Sequence, residues 1–168
     1  MAPILDEHSL EFISRSSEQT QRLGARLGAL LRGGDVICME GQLGSGKTCM
    51  AQGIGRGWGA SQNLISPTFV LIREYERHED PVKLQHIDLY RIGDADEALG
   101  LGLDEVLGNE YAICVIEWAE RAQLLIPPEH LWIRFEFISR NRRELHFLAQ
   151  GERHTHVLRQ FRRDAFGA

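Results

Sequence analysis

The sequence predicts an α/β fold: a mixed sheet with parallel central strands, helices on both faces and antiparallel strands at its edges. Three observations predict it. Residues 36–39 and 112–116 are short runs apolar on both faces, the mark of strands buried in the middle of a parallel sheet. A glycine-rich turn follows the first run and opens a helix-forming segment. Alternating strand patterns with polar turns between them fill out the rest. At 168 residues the chain has the length of a single domain, its core expected over about residues 10–150 and a basic C-terminal segment over 151–168.

Taken in order, Leu10 and Phe12 alternate with polar neighbours in a short first strand. Ser16 and Gln19 form a capping box, Leu23, Leu27, Leu30 and Leu31 recur at helical spacing, and Gly33-Gly34 stops the helix. After the first central strand and the glycine-rich turn, a helix is expected from Lys47 to about Trp58, although Gly53, Gly55 and Gly57 cost it about 1 kcal/mol each. Residues 59–67 read as a loop. Phe69, Leu71 and Ile72 belong to the first strand of a hairpin. Its second strand, residues 83–90, sets Leu84, His86, Asp88 and Tyr90 on one face and Ile87 and Leu89 on the other. Residues 94–107 have short helical character interrupted by Gly100 and Gly102. The second central strand ends at Glu117-Trp118. Residues 131–138 and 144–149 alternate as two further strands about the basic turn 140–143, and a short helix is expected from about Thr155 to Phe166.

Composition excludes several classes. The longest apolar stretches are five to seven residues, against about 18–20 for a membrane-spanning helix, so no membrane association is expected. The first thirty residues carry Asp6, Glu7, Glu11 and Glu18 and lack the charged-then-apolar pattern of a secretory signal, which predicts a soluble, cytoplasmic protein. Cys38, Cys49 and Cys114 fall in no zinc-binding spacing and read as reduced thiols. The net charge of −5 conceals an asymmetry, because residues 134–168 hold 8 of the 19 basic groups and only 4 of the 24 acidic ones.

The chemistry starts at Gly41-Gln42-Leu43-Gly44-Ser45-Gly46-Lys47-Thr48, which matches G-x-x-x-x-G-K-[ST] at every fixed position. This is a phosphate-binding loop, the P-loop. Gly41, Leu43, Gly44, Ser45 and Gly46 supply backbone that can turn N–H groups toward phosphate oxygens, at the positive end of the following helix dipole. Lys47 reaches the outer phosphates as a point charge, and Thr48 offers a hydroxyl to Mg²⁺. Such a site needs an acidic partner for the metal at the end of a neighbouring buried strand, and Glu117 stands there. Asp88 is a second acid at a strand end, suited to orienting or deprotonating water, or else paired with Arg91. Neither lysine, Lys47 nor Lys83, follows an asparagine, which removes the guanine-reading Asn-Lys-x-Asp and favours ATP.

Four segments in this order resemble the TsaE family of small P-loop ATPases, which act in tRNA threonylcarbamoyladenosine formation: the P-loop; Ser66-Pro67-Thr68-Phe69; His86-Ile87-Asp88-Leu89-Tyr90-Arg91; and Val115-Ile116-Glu117-Trp118. The resemblance implies a P-loop NTPase-like fold, ATP and Mg²⁺ as ligands, and TsaB and TsaD as protein partners. It places Thr68 in a switch-like segment near Mg²⁺ or the terminal phosphate. It makes Asp88 catalytic, Glu117 the second metal-site acid and Trp118 the aromatic beside it. Ser17 is implied near the adenine and Arg142 on the nucleotide side; His86, Tyr90 and Arg91 are scaffold or partner-contact residues. The chain departs from the family at Gln42, Ser45 and Cys49 in the loop, and at Ala119, where a proline commonly follows the tryptophan.

Mg²⁺-dependent ATP hydrolysis, weak alone and put to use in a partner complex, is therefore expected. A small-molecule phosphotransferase shares the loop but requires a lid with arginines, for which the acidic residues 94–110 are poorly suited. A nucleotide-dependent adaptor with little hydrolysis is the binding-class alternative. Arg140, Arg142 and Arg143, with Arg159, Arg162 and Arg163, could form a patch toward tRNA phosphate or an acidic partner, or simply a solvated face.

Overall fold

The computed structural model describes residues 6–66 and 71–167. In chain order its elements are β1 (Ser9–Ser14), α1 (Ser17–Gly28), β2 (Val36–Glu40), α2 (Lys47–Trp58), β3 (Ile72–Tyr75), β4 (Lys83–Asp88), α3 (Ala95–Leu99), α4 (Leu103–Leu107), β5 (Ala112–Glu117), a 3-10 segment (Ala119–Leu125), β6 (His130–Phe137), β7 (Arg143–Gln150) and α5 (Glu152–Phe166). The strands form one seven-stranded sheet in the order β1-β7-β6-β2-β5-β4-β3. β6, β2, β5 and β4 run parallel, while β3 at one edge and β7 and β1 at the other are antiparallel.

The two-faced apolar runs behave as their composition demands. Ile37 and Met39 of β2 and Ile113 and Val115 of β5 face a core shared with Leu27 of α1, Ile54 of α2 and Phe161 of α5. Val36, Cys38, Cys114 and Ile116 face a second core closed by Ala98, Leu103, Leu107 and Ala122. Helices thus cover both faces, and all of β5 is buried. Burial pushes the thiols of Cys38 and Cys114 up, the latter to about 12, so neither is a reactive thiolate.

Helix α1 starts where the capping box predicts: Ser16 Oγ accepts from the Gln19 N–H at 3.0 Å, and Gln19 Oε1 accepts from the Arg15 N–H at 2.7 Å. It ends at Gly28, earlier than the Gly33-Gly34 pair, and Leu30 and Leu31 continue only as turns that bond back to Leu27 and Gly28. The glycines of α2 have a reason beyond the loop. A Cβ on Gly53 would lie 2.2 Å from Gln21 O, and one on Gly57 would lie 1.9 Å from Ala25 O. Helices α1 and α2 therefore touch backbone to backbone, in parallel, and the propensity cost is spent on that approach.

Residues 94–107 divide into α3 and α4 around Gly100 and Gly102, as their pattern suggests. The 3-10 segment was not foreseen; it is broken at Ala122, which has non-helical dihedrals. Helix α5 begins at Glu152, three residues before the expected start, because Gly151 at φ 91 ends β7 and accepts from Thr155 Oγ1 at 2.8 Å. It buries Val157, Leu158 and Phe161, so the basic segment belongs to the folded core. Two of its arginines are spent on the N-terminal segment: Arg159 pairs with Glu7 at 3.1 Å, and Arg162 donates to the carbonyls of Asp6 and Ser9. No helix of the described residues is long and apolar enough to cross a membrane.

Candidate active site

The parallel strands bring three chain segments to one edge of the sheet. In register, Met39 lies opposite Glu117 and Glu117 opposite Asp88, so the P-loop that follows β2 emerges beside both carboxylates. Ligands of open α/β sheets bind at this carboxyl edge. A cleft of about 640 Å³ opens there. The loop and the first turn of α2, from Leu43 to Cys49, form its floor, with the capping residue Ser16 and Ser17, Glu18 and Thr20 of α1 on one side. Ser66, Leu71, Asp88, Tyr90 and Arg91 stand on the other, and Glu117, Trp118, Arg140, Asn141 and Arg143 complete it.

The loop is shaped by its glycines and closed by its lysine. Gly46 caps α2 at φ 105, a left-handed conformation that penalises any side chain. Ser45 and Lys47 are buried. Lys47 Nζ donates to Gly41 O, to Gln42 O at 2.9 Å and to Ser45 Oγ at 3.2 Å, which uses all three ammonium protons. Burial draws its pKa below the ordinary value, and Glu117, Glu120 and Asp88 oppose that shift. The loop departure Ser45 is thus a ligand of the lysine.

Thr48 Oγ1 donates to Glu117 Oε1 at 2.9 Å. Glu117 is 2% exposed, and its other oxygen, Oε2, lies 2.6 Å from Nε2 of the fully buried His86. Asp88 is fixed at both oxygens: Oδ1 accepts from the Tyr90 N–H at 2.9 Å and Oδ2 from Ser66 Oγ at 3.3 Å. Burial raises its pKa, with the Glu117 charge adding to the effect and the Tyr90 and Ser66 bonds opposing it.

Trp118 is the one non-glycine among the described residues with positive φ, at 60°. That turn swings its ring to 4.3 Å from Lys47 Nζ and 5.1 Å from the Tyr90 ring, with the Arg121 guanidinium 5.1 Å from it. Ala119, which follows, is fully buried.

The structure therefore brings Gly44, Ser45, Gly46, Lys47, Thr48, Asp88, Glu117, Trp118, Ser17 and Leu43 to one cleft. Gly41 stands at the head of the loop, where an added Cβ would meet Phe135 O at 2.8 Å. Arg142 lies in the β6–β7 turn but does not line the cleft. Its neighbour Arg143 does, and donates from Nε and Nη2 to Gly44 O at 3.2 and 2.9 Å. Thr68 lies outside the described residues. Sequence reasoning missed the bond from Ser66 to Asp88 and that from Arg143 to Gly44, and gave His86 no specific partner. The pairing of β4 with β5 is the signal that would have joined His86 to Glu117.

The donor set suits a hard divalent cation: the Thr48 hydroxyl and the carboxylates of Glu117 and Asp88, all oxygen. Comparison with known proteins agrees with the geometry. The family model described as threonylcarbamoyl adenosine biosynthesis protein TsaE matches residues 14–145. The tRNA threonylcarbamoyladenosine biosynthesis protein TsaE of Bacillus subtilis is 33% identical over 92% of this chain and 94% of its own length. That of Nostoc is 41% identical over 70% of this chain and 72% of its own. The crystal structure of Bacillus subtilis YdiB superposes with a TM-score of 0.75 at 30% identity, covering 93% of this chain and 95% of that one. A family match over most of the length, together with a shared fold, makes this chain a member of the TsaE family of tRNA threonylcarbamoyladenosine biosynthesis proteins.

Proposed function

We propose that this chain hydrolyses ATP with Mg²⁺ and that the hydrolysis serves threonylcarbamoyladenosine formation on tRNA by driving a complex of TsaB and TsaD. The observation that carries the proposal is the contact between Thr48 Oγ1 and Glu117 Oε1 at 2.9 Å, at the head of the P-loop helix and one strand from Asp88. Thr48 and Glu117 would hold the metal, which when bound offsets charge on the phosphate oxygens. Loop N–H groups and the Lys47 ammonium do the same from the protein side. Asp88, held by Ser66 and Tyr90, orients a water for in-line attack; the new P–O bond forms as the bond to the leaving ADP oxygen breaks, and the carboxylate receives the water proton. Ser17 at the cleft rim suits the adenosine end, and Trp118 packs over the lysine.

Helices α3 and α4 support hydrolysis over transfer to a small acceptor. They pack Ala98, Leu103 and Leu107 into the second core and supply no residue to the cleft among the described residues. Lys47→Ala is expected to abolish nucleotide binding, and Asp88→Ala to keep binding while lowering hydrolysis by about 10²-fold or more. Phosphate release by the purified protein, alone and with TsaB and TsaD, measures both. Cells depleted of the protein should regain the modified tRNA with wild type and not with Lys47→Ala. Hydrolysis unaffected by Asp88→Ala, or phosphate found on an acceptor, removes the proposal.

A further inference from the structure

His86 has no exposed surface, yet it carries a ring that the P-loop chemistry does not call for. It lies on β4 opposite Val115, two residues before Asp88, and on the face that looks toward α2. From there Nε2 reaches diagonally across the parallel pair to Glu117 Oε2 at 2.6 Å. The short contact to a carboxylate makes Nε2 the protonated nitrogen. Nδ1 is buried without a hydrogen-bond partner among the described residues. A histidine placed only to fill the core would be served as well by leucine or methionine, without burying an unpartnered nitrogen. Here the orphaned nitrogen accompanies a single directed bond.

The two oxygens of Glu117 are thereby divided: Oε2 is held from behind by His86, and Oε1 faces Thr48. A carboxylate with only one oxygen restrained can rotate about its terminal torsion, which is broad and roughly two-fold. With both restrained it presents one oxygen in one direction. We infer that His86 is a positioning residue that fixes the Glu117 carboxylate, and so sets how strongly Mg²⁺ tightens nucleotide binding. The inference rests on Thr48 and Glu117 serving the metal. The principle is that groups behind a metal ligand orient it and are worth about 10- to 100-fold in metal affinity.

The test uses the full chain and a fluorescent, non-hydrolysable ATP analogue, titrated in Mg²⁺ and again in EDTA. His86→Met is expected to lose about 10-fold or more of the affinity gained from Mg²⁺ while its affinity in EDTA stays that of wild type. His86→Gln, whose amide N–H can stand near the position of Nε2, is expected to recover most of the gain. A His86→Met protein with the wild-type gain overturns the inference. So does one weakened equally in EDTA, or a His86→Gln protein no better than His86→Met. If wild type itself gains nothing from Mg²⁺, the metal role of Thr48 and Glu117 falls and takes the inference with it, an outcome distinct from the others. Ring ¹⁵N spectra of wild-type protein give a measure that no substitution can spoil by unfolding. They should show His86 protonated at Nε2, with that proton protected from exchange before and after Mg²⁺ and analogue are added. A ring protonated at Nδ1, or an Nε2 proton lost on addition, overturns it.

Discussion

Glu120 sits two residues beyond Trp118, half-buried, and its Oε2 is enclosed without a donor among the described residues. Burial raises its pKa, and Glu40 pushes the same way, while Lys47 and Arg121 oppose them. A folded-state value above the unfolded one means that the ionised form is penalised in the native protein. The penalty is present at neutral pH and vanishes as pH falls below the unfolded value. Glu120→Gln should therefore raise the thermal midpoint at pH 7, by roughly 1 kcal/mol in stability, the low end of the cost of an unpaired buried polar group. The gain should shrink toward zero under acid conditions, and scanning calorimetry across that range measures it. Asp88 shows the same sign of shift with both oxygens bonded, which suits the proton-accepting role proposed for it.

At the scale of elements, the contact of α1 with α2 opposes two simple rules. Helix propensity alone makes Gly57→Ala stabilising by about 1 kcal/mol. The Cβ it adds would fall 1.9 Å from Ala25 O, so we expect instead a loss of roughly 2–3 kcal/mol, as for overpacked cores. Urea denaturation decides the sign. The same helices show what a sequence does and does not reveal. Residues 36–39 and 112–116 were legible as central strands because both of their faces are apolar, a pattern few other structures satisfy. The P-loop was legible because its function is a backbone shape, which glycine spacing specifies directly. The helix glycines read only as a cost, since the partner that explains them lies some thirty residues away in the chain. For the same reason Asp88, Glu117 and His86 could each be singled out, but their joining depended on strand order, which no local pattern encodes. The 3-10 segment lacked a sustained period to read, being broken at Ala122.

At the scale of the molecule, α5 closes the fold through a polar junction with the start of β2. Arg153 pairs with the buried Asp35 at 2.9 Å, Asp35 accepts from the Arg32 N–H at 2.8 Å, and His154 Nε2 accepts from the Val36 N–H at 3.1 Å. Burial lowers the His154 pKa below 6.5, helped by Arg153 and His130 and opposed by Asp35 and Glu129. A depressed folded-state value contributes stability that is fully present above the unfolded value and lost as pH falls through 6.5 toward the folded one. Thermal unfolding should become easier across that window, by at most about 1.4 kcal/mol per pH unit for one group. His154→Gln, which keeps an acceptor for Val36, should flatten the profile there.

The glycine-lined contact also has a mechanical side. Because α1 and α2 lie parallel with their backbones touching, the start of α1, which carries Ser16, Ser17 and Thr20, cannot slide or tilt against the P-loop without prising two main chains apart. The cleft is thus a vice with one fixed jaw. In the proposed reaction, displacement during ATP turnover would fall to the opposite jaw, where Ser66, Asp88, Tyr90 and Arg91 stand, and from that side a partner protein would gain leverage.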